Sequence, residues 1–268
     1  MTERGDGDLG APSRTIAVTG AAGRLGTYLR GSLDELAGAA RLLDIASAPE
    51  AGPDEPVEIY QGSVTDPEML DAVCRGADAV VHLGGYARDA PWPDLAEVNV
   101  GGTREVLEAA RRHGVKRVVV ASSNHAAGCH VRTARPLSDD VPPFPDSLYG
   151  VSKAASEALC QFYSAKYSID VVCLRIGSCF DAPQNQRMLS TWLSPGDFVR
   201  LVRASLTSSR AGFQLVWGVS ANTRRWWSTA GGAAIGFRPQ DDAEVYAELF
   251  PGCPPVPEHV GGLSGPGS

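Results

Sequence analysis

Short apolar runs alternate with amphipathic stretches along most of the chain, and the alternation predicts a repeating strand–helix order. Strands are expected at residues 15–19, 41–45, 57–60, 79–83, 117–122 and 171–176. Apolar positions at helical spacing lie between them, at 25–36, 67–75, 95–113 and 148–167. Val118, Val119 and Val120 are apolar on successive positions, as a strand covered on both faces must be. The order implies an α/β fold: a doubly wound parallel (Rossmann) sheet with its ligand crevice at the carboxyl ends of the strands.

After Ile176 the rhythm breaks. Residues 177–191 are polar and irregular, 195–207 read as a helix, 215–217 as a short strand and 241–249 as a closing helix. These pieces predict a small C-terminal substrate lobe over the crevice. The loop 124–147, dense in Pro and Asp, is long for a simple connection and is expected to line the same crevice. Residues 1–13 and 251–268 lack periodicity and read as a disordered N-terminal and a flexible C-terminal tail. That leaves 14–250 as a single nucleotide-binding domain, with 177–250 supplying much of the lobe.

Composition narrows the partners. A net charge of −7 disfavours nucleic acid and anionic membrane surfaces, which select basic faces. No apolar run approaches the ~20 residues that span a bilayer, and the start has no apolar core of a secretory signal. Six scattered cysteines without a CxxC pair suit a reduced cytoplasmic protein. His82 has no ligand spacing with the other histidines, so no metal is expected. A homo-oligomer is left open.

Residues 19–26, Thr-Gly-Ala-Ala-Gly-Arg-Leu-Gly, follow the first strand and open the first helix. Gly20 permits the tight turn, Gly23 lets a pyrophosphate approach the backbone, and Gly26 lets helix pack on strand. Ala22, Arg24 and Leu25 complete a turn whose N–H groups suit phosphate. A glycine-rich turn alone is weak in a chain with 30 glycines. Asp44 strengthens it: an acid at the end of the second strand can accept from both adenosine ribose hydroxyls. No arginine stands beside Asp44 to welcome a 2′-phosphate, so NAD is expected rather than NADP. Leu83, Gly84 and Gly85, at the end of the fourth strand, leave room for the cofactor's central part.

Tyr149 and Lys153 stand four residues apart, on one face of a helix. With 7 tyrosines and 3 lysines in 268 residues, chance gives this spacing about 0.08 times. A phenol is a poor base at its usual pKa of ~10, but a nearby ammonium and a positively charged nicotinamide would favour the phenolate. Tyr149 is then a candidate base for an alcohol that loses hydride. Ser122 and Ser123 end the fifth strand, followed by Asn124 and His125. Either serine could hold the reacting oxygen; Ser123 is favoured, although alternation alone does not choose.

Together, the TGxxGxxG turn, the acid and the YxxxK helix resemble the extended short-chain dehydrogenases, of the NAD-dependent epimerase/dehydratase type. Longer stretches are similar to the uronate dehydrogenases: 82–85, 121–125, 148–153, 175–179, RMLSTW at 187–192, 216–218 and the Trp226–Trp227 pair. The likeness covers about residues 15–247. It implies oxidation of a cyclic uronic acid, glucuronate or galacturonate, at C1, with NAD accepting hydride and an aldarolactone as product. By the same resemblance Tyr149 is the base, Lys153 its activator and Ser123 the hydroxyl-positioning residue. Asn124, His125 and Ser178 would contact sugar hydroxyls or the carboxylate, which Arg187 would pair. The planar guanidinium suits that last role.

Two positions depart from the pattern. Ala87 stands where a serine would touch substrate, and Gly62-Ser63 follow the third strand where an acid and an apolar residue are common. A nucleotide-sugar epimerase or reductase is the nearest rival, but only 92 of the 268 residues follow Ile176, a short allowance for a nucleotide. A non-catalytic NAD-binding regulator would not need the Tyr149–Lys153 pair.

Overall fold

The computed structural model describes residues 14–251 and 258–262. The expected N-terminal tail lies outside the described residues. The chain runs through β1 (Thr15–Thr19), α1 (Arg24–Arg30), α2 (Leu33–Leu36), β2 (Ala39–Asp44), β3 (Val57–Gln61), α3 (Pro67–Cys74) and β4 (Ala79–His82). A short α4 (Trp92–Asp94) leads into a π-helical turn, Leu95–Gly101, and then α5 (Gly102–Arg112). There follow β5 (Arg117–Ser123), α6 (Leu148–Tyr167), β6 (Asp170–Ile176), β7 (Ser178–Cys179), α7 (Met188–Thr191), β8 (Trp192–Leu193), α8 (Pro195–Thr207), β9 (Phe213–Gly218) and α9 (Ala230–Ala234). The last piece is a 3₁₀ segment, Ala243–Leu249.

Seven strands form one parallel sheet in the order β3-β2-β1-β4-β5-β6-β9. Alternate residues of each strand enter different cores, which is why the central strands are apolar throughout. Ile16, Val18 and Val119 pack with Leu29, Phe198 and Leu201 on the α1–α8 face. Ala17, Val118 and Val120 pack with Leu70, Leu107 and Cys160 on the α3–α5–α6 face. Strand order reverses between β1 and β4, and the crevice opens there. Gly20 takes φ +72°, and a Cβ on it would lie 2.5 Å from the Gly84 nitrogen. Only glycine lets the two turns that frame the crevice approach this closely.

Several boundaries differ from the sequence expectation. The first helix ends at Arg30 and restarts at Leu33, because Gly31 and Ser32 interrupt it. The helix expected over 95–113 begins as the π-helical turn. There the Asn99 side chain bonds the Tyr86 backbone at both N–H (2.8 Å) and C=O (3.2 Å) and the Ser152 hydroxyl (2.9 Å). The short strand expected in the lobe is β9, an edge strand of the main sheet paired along six residues of β6. Val216 and Trp217 are buried there, so this stretch extends the sheet rather than the lobe.

The C-terminal expectation is also corrected in part. Glu258–Gly262 packs against the loop that follows β5, with Val260 fully buried and its N–H donating to the His130 carbonyl (3.0 Å). His259 bridges Val131 in antiparallel fashion. A buried valine and backbone pairing hold this short segment although its composition shows no period.

Candidate active site

A crevice of about 810 Å³ runs along the carboxyl ends of β1, β2, β4, β5 and β6. At one end Gly20, Ala22, Gly23, Arg24, Leu25 and Asp44 line it, with Leu83, Gly84 and Gly85 on the facing turn. Gly26 does not line it. It is buried in α1, where a Cβ would strike the Ala21 carbonyl, so its role is close packing of helix on turn. The Asp44 carboxylate accepts from Ala22 N–H (2.9 Å) and Ala46 N–H (2.9 Å), which fixes it beside the glycine-rich turn. This cradle of side-chain-free backbone closed by a fixed carboxylate fits a dinucleotide with an unphosphorylated ribose. The Arg24 guanidinium stacks 4.0 Å from the Phe180 ring centroid. Phe180, unforeseen from sequence, is brought over the crevice by the irregular segment after β7.

His82 serves the scaffold. Its ring is wedged between Thr19 Oγ1 (2.7 Å) and Thr103 Oγ1 (3.1 Å), and burial pushes its pKa down to about 3, so it stays neutral. Among the described residues no group of three His, Cys, Asp or Glu side chains could hold a metal ion. No helix among them is long and apolar enough to cross a membrane.

The second cluster is set by the start of α6. The Ser147 hydroxyl caps the helix by accepting from Gly150 N–H (3.0 Å), and Asp89 accepts from Tyr149 N–H (2.9 Å). Gly150 lies against the His125 carbonyl with no room for a Cβ, which locks the helix onto the turn after β5. Tyr149 and Lys153 therefore point toward the end of β5, where the Ser123 hydroxyl is near enough to favour the Tyr149 phenolate. Ser122 donates instead to Glu157 (2.6 Å), which also holds the buried Arg175 through both oxygens (2.9 and 2.8 Å). That separates the two serines: Ser123 meets Tyr149, and Ser122 anchors the strand end.

Electrostatics differ from expectation. Burial holds the Tyr149 phenol up at about 12, with the Ser123 hydrogen bond pulling it down and Asp89 pushing it up. Lys153, which donates to the Ala121 carbonyl (2.9 Å), is pushed down to about 8 by its own burial. Its Nζ is 5.8 Å from the Tyr149 ring centroid. In the protein alone, desolvation is the largest influence on the phenol. Lys153 is thus a buried charge without a salt-bridge partner among the described residues, and Lys153→Met is expected to stabilise the cofactor-free protein. The lowered pKa corresponds to a penalty of order 3 kcal/mol, at about 1.4 kcal/mol per unit, before loss of the Ala121 hydrogen bond. Thermal melting should therefore show a rise of a few degrees, with activity lost; a fall would mean that the hydrogen bond outweighs the buried charge.

At the substrate end the crevice is lined by Ser123, Asn124, His125, Ser178 and Arg187. Arg187 Nη2 donates to the Val260 carbonyl (2.6 Å) and, with the Asn124 amide oxygen turned toward it, to Asn124 (2.9 Å). Its guanidinium lies 5.6 Å from the Trp226 ring centroid, and its Nε is buried without a hydrogen-bond partner among the described residues. Burial lowers its pKa to about 10 and Asp146 partly offsets this. Ser178 Oγ sits 3.1 Å from Thr191 Oγ1, and His125 Nδ1 is 2.9 Å from Asp146. Asp146, Asp89 and Val260 were not foreseen. Asp146 and Asp89 stand near the YxxxK and HLGG motifs, but nothing in their spacing marks them.

The parallel sheet, the glycine-rich turn with its acid and the Ser–Tyr–Lys cluster define a nucleotide-dependent dehydrogenase of the short-chain class. Residues 16–195 match the model of the NAD dependent epimerase/dehydratase family, and the chain belongs to that family. It is 40% identical over 236 residues to a uronate dehydrogenase of Pseudomonas putida, covering 88% of this chain and 87% of that one. It is also 40% identical over 245 residues to a uronate dehydrogenase of Agrobacterium fabrum, covering 91% of each. Among solved structures, a mutant uronate dehydrogenase from Agrobacterium tumefaciens complexed with NAD is 38% identical. The TM-score is 0.86, over 93% of this chain and 96% of that one.

Proposed function

We propose that this protein oxidises a free uronic acid, glucuronate or galacturonate, at C1 with NAD and releases an aldarolactone. The observation that carries the reading is Arg187: a desolvated guanidinium with no salt-bridge partner among the described residues, in the same crevice as Tyr149 and Ser123. A sugar carboxylate would complete it through charge-assisted hydrogen bonds. The relatives named uronate dehydrogenases support the same substrate class. The test is NADH formation with glucuronate, galacturonate, glucose and a nucleotide-sugar side by side. Turnover of the acids alone is expected; turnover of the nucleotide-sugar alone would point to the rival sugar-nucleotide chemistry.

NAD, when bound, supplies the hydride acceptor and a positive nicotinamide ring. Asp44 would receive the ribose hydroxyls, and Gly23, Arg24 and the facing Gly84–Gly85 turn would take the pyrophosphate. Ser123 would donate to or accept from the C1 oxygen and hold it against Tyr149. Tyr149, as phenolate, would take the C1 hydroxyl proton while the C1–H bond gives up its electron pair as hydride. Lys153 would keep a positive charge beside the phenolate. Asn124, His125 and Ser178 would fix the ring hydroxyls.

Asp44 makes the cofactor choice testable. Its carboxylate would lie close to the 2′-position, so Asp44→Ala is expected to weaken NAD about tenfold and to narrow the NAD/NADP ratio, because a repelling charge is gone. The check is kcat/KM with each cofactor. Equal use of NAD and NADP by the native protein would remove Asp44 from that role.

A further inference from the structure

Behind His125, the residue proposed to contact the sugar, lies a buried carboxylate. Asp146 immediately precedes the cap of α6, and its side chain is 6% exposed. One oxygen lies 2.9 Å and the other 3.1 Å from His125 Nδ1, and the Ser147 hydroxyl donates to the first (3.2 Å). Gly128 and Gly261 press against the same carboxyl, with no room for a Cβ on either. The carboxylate is therefore held by the loop after β5, the start of α6 and the C-terminal segment together. It is also close enough to Arg187 to favour that residue's charge.

Such a fixed acceptor puts a hydrogen on the Nδ1 of the histidine. A carboxylate accepts only, so Nδ1 must carry a hydrogen. In the neutral ring the other nitrogen, Nε2, is then a bare acceptor. The ring lines the crevice and stands edge-on to Tyr149, with centroids 5.8 Å apart. With Nδ1 turned to Asp146, Nε2 is the nitrogen left for a ligand. Without Asp146 the ring could present either a donor or an acceptor, and could turn.

We infer that Asp146 is a positioning residue that locks His125 in the tautomer with Nδ1–H, so that Nε2 accepts a hydrogen bond from one hydroxyl of the sugar ring. This inference rests on the proposed uronate oxidation only for the identity of the hydroxyl's owner. An acceptor reads a hydroxyl by its hydrogen, and a ring held at one angle reads it at one position. The pair thereby selects among sugars by hydroxyl placement, while Arg187 selects by charge. Asp146 touches no reacting atom, and its effect falls on substrate affinity rather than on the chemical step.

The experiment pairs kinetics with a spectroscopic readout. Asp146→Asn is expected to raise KM for glucuronate about tenfold or more, to leave kcat within about threefold, and to leave NAD affinity unchanged. Singly deoxygenated uronates should include one for which native protein and variant have the same kcat/KM, because the hydroxyl that His125 reads is missing. Histidine ¹⁵N NMR of the protein without substrate, with the signal assigned through His125→Gln, should show protonated Nδ1 and bare Nε2 in the native chain and a changed pattern in Asp146→Asn. An unchanged KM, or a parallel loss of NAD affinity, kcat and KM, would overturn the proposal. So would a native signal with the proton on Nε2. If no uronate is turned over while the native NMR pattern is as stated, the uronate reading fails and the locked tautomer stands.

Discussion

Tyr149→Phe is expected to lower kcat by about 10²–10⁴-fold while leaving NAD affinity nearly unchanged. The substitution removes one oxygen from a side chain that is 8% exposed, so ring packing is kept. Only the Ser123 partner and the proton acceptor are lost. The pH dependence separates this role from a packing role. The active form is the phenolate, and burial holds the phenol at about 12 in the protein alone, so the phenolate fraction is small at neutral pH and grows as pH rises. The native oxidation rate should therefore increase with pH below the phenol's pKa in the complex, and that increase should vanish in the variant. The rise must also contend with Lys153, whose ammonium begins to titrate near 8 in the protein alone. Bound nicotinamide, with its positive charge, favours the phenolate and disfavours the ammonium. A variant with near-native turnover, or with the native pH slope, would remove Tyr149 from proton transfer.

What was legible in the sequence follows from the range of the interactions involved. The central strands are apolar on both faces because both faces are covered, and composition alone displays that. Tyr149 and Lys153 meet by helical spacing within α6, and the glycine-rich turn lies within one strand–helix unit, so both could be read locally. The different surroundings of Ser122 and Ser123 could not, because Ser122 is engaged by Glu157, 35 residues away on α6. The π-helical turn could not either, since it centres on Asn99 bonds to Tyr86 and Ser152. The Val260 carbonyl reaches Arg187 across 73 residues, from a stretch whose Pro and Gly content suggested only a tail. The burial at Tyr149 was not legible either: the spacing shows that a lysine is near, but not how far burial opposes both charges in the protein alone.

Arg187 is expected to decide that the substrate is an acid. In the protein alone its Nη2 is spent on the Val260 carbonyl and Asn124, Nε lies buried against Gly262, and burial lowers the pKa to about 10. The remaining guanidinium charge has no salt-bridge partner among the described residues, an arrangement that costs free energy until an anion arrives. A uronate carboxylate would supply charge-assisted hydrogen bonds worth ~1.5–3 kcal/mol each, whereas glucose would leave the charge desolvated and unpaired. Arg187→Met should therefore reduce kcat/KM for glucuronate by about 100-fold or more, while the weak activity on glucose should fall little or improve. Arg187→Lys should recover only part of the loss. A single ammonium cannot hold Val260 and Asn124 and also present a planar fork to the substrate. NAD affinity serves as the control for local collapse, since the Val260 segment leans on the same guanidinium. The measurement is kcat/KM on both sugars for the three proteins. Equal proportional losses on acid and neutral sugar would show that Arg187 supports the C-terminal segment and the shape of the site without reading the carboxylate.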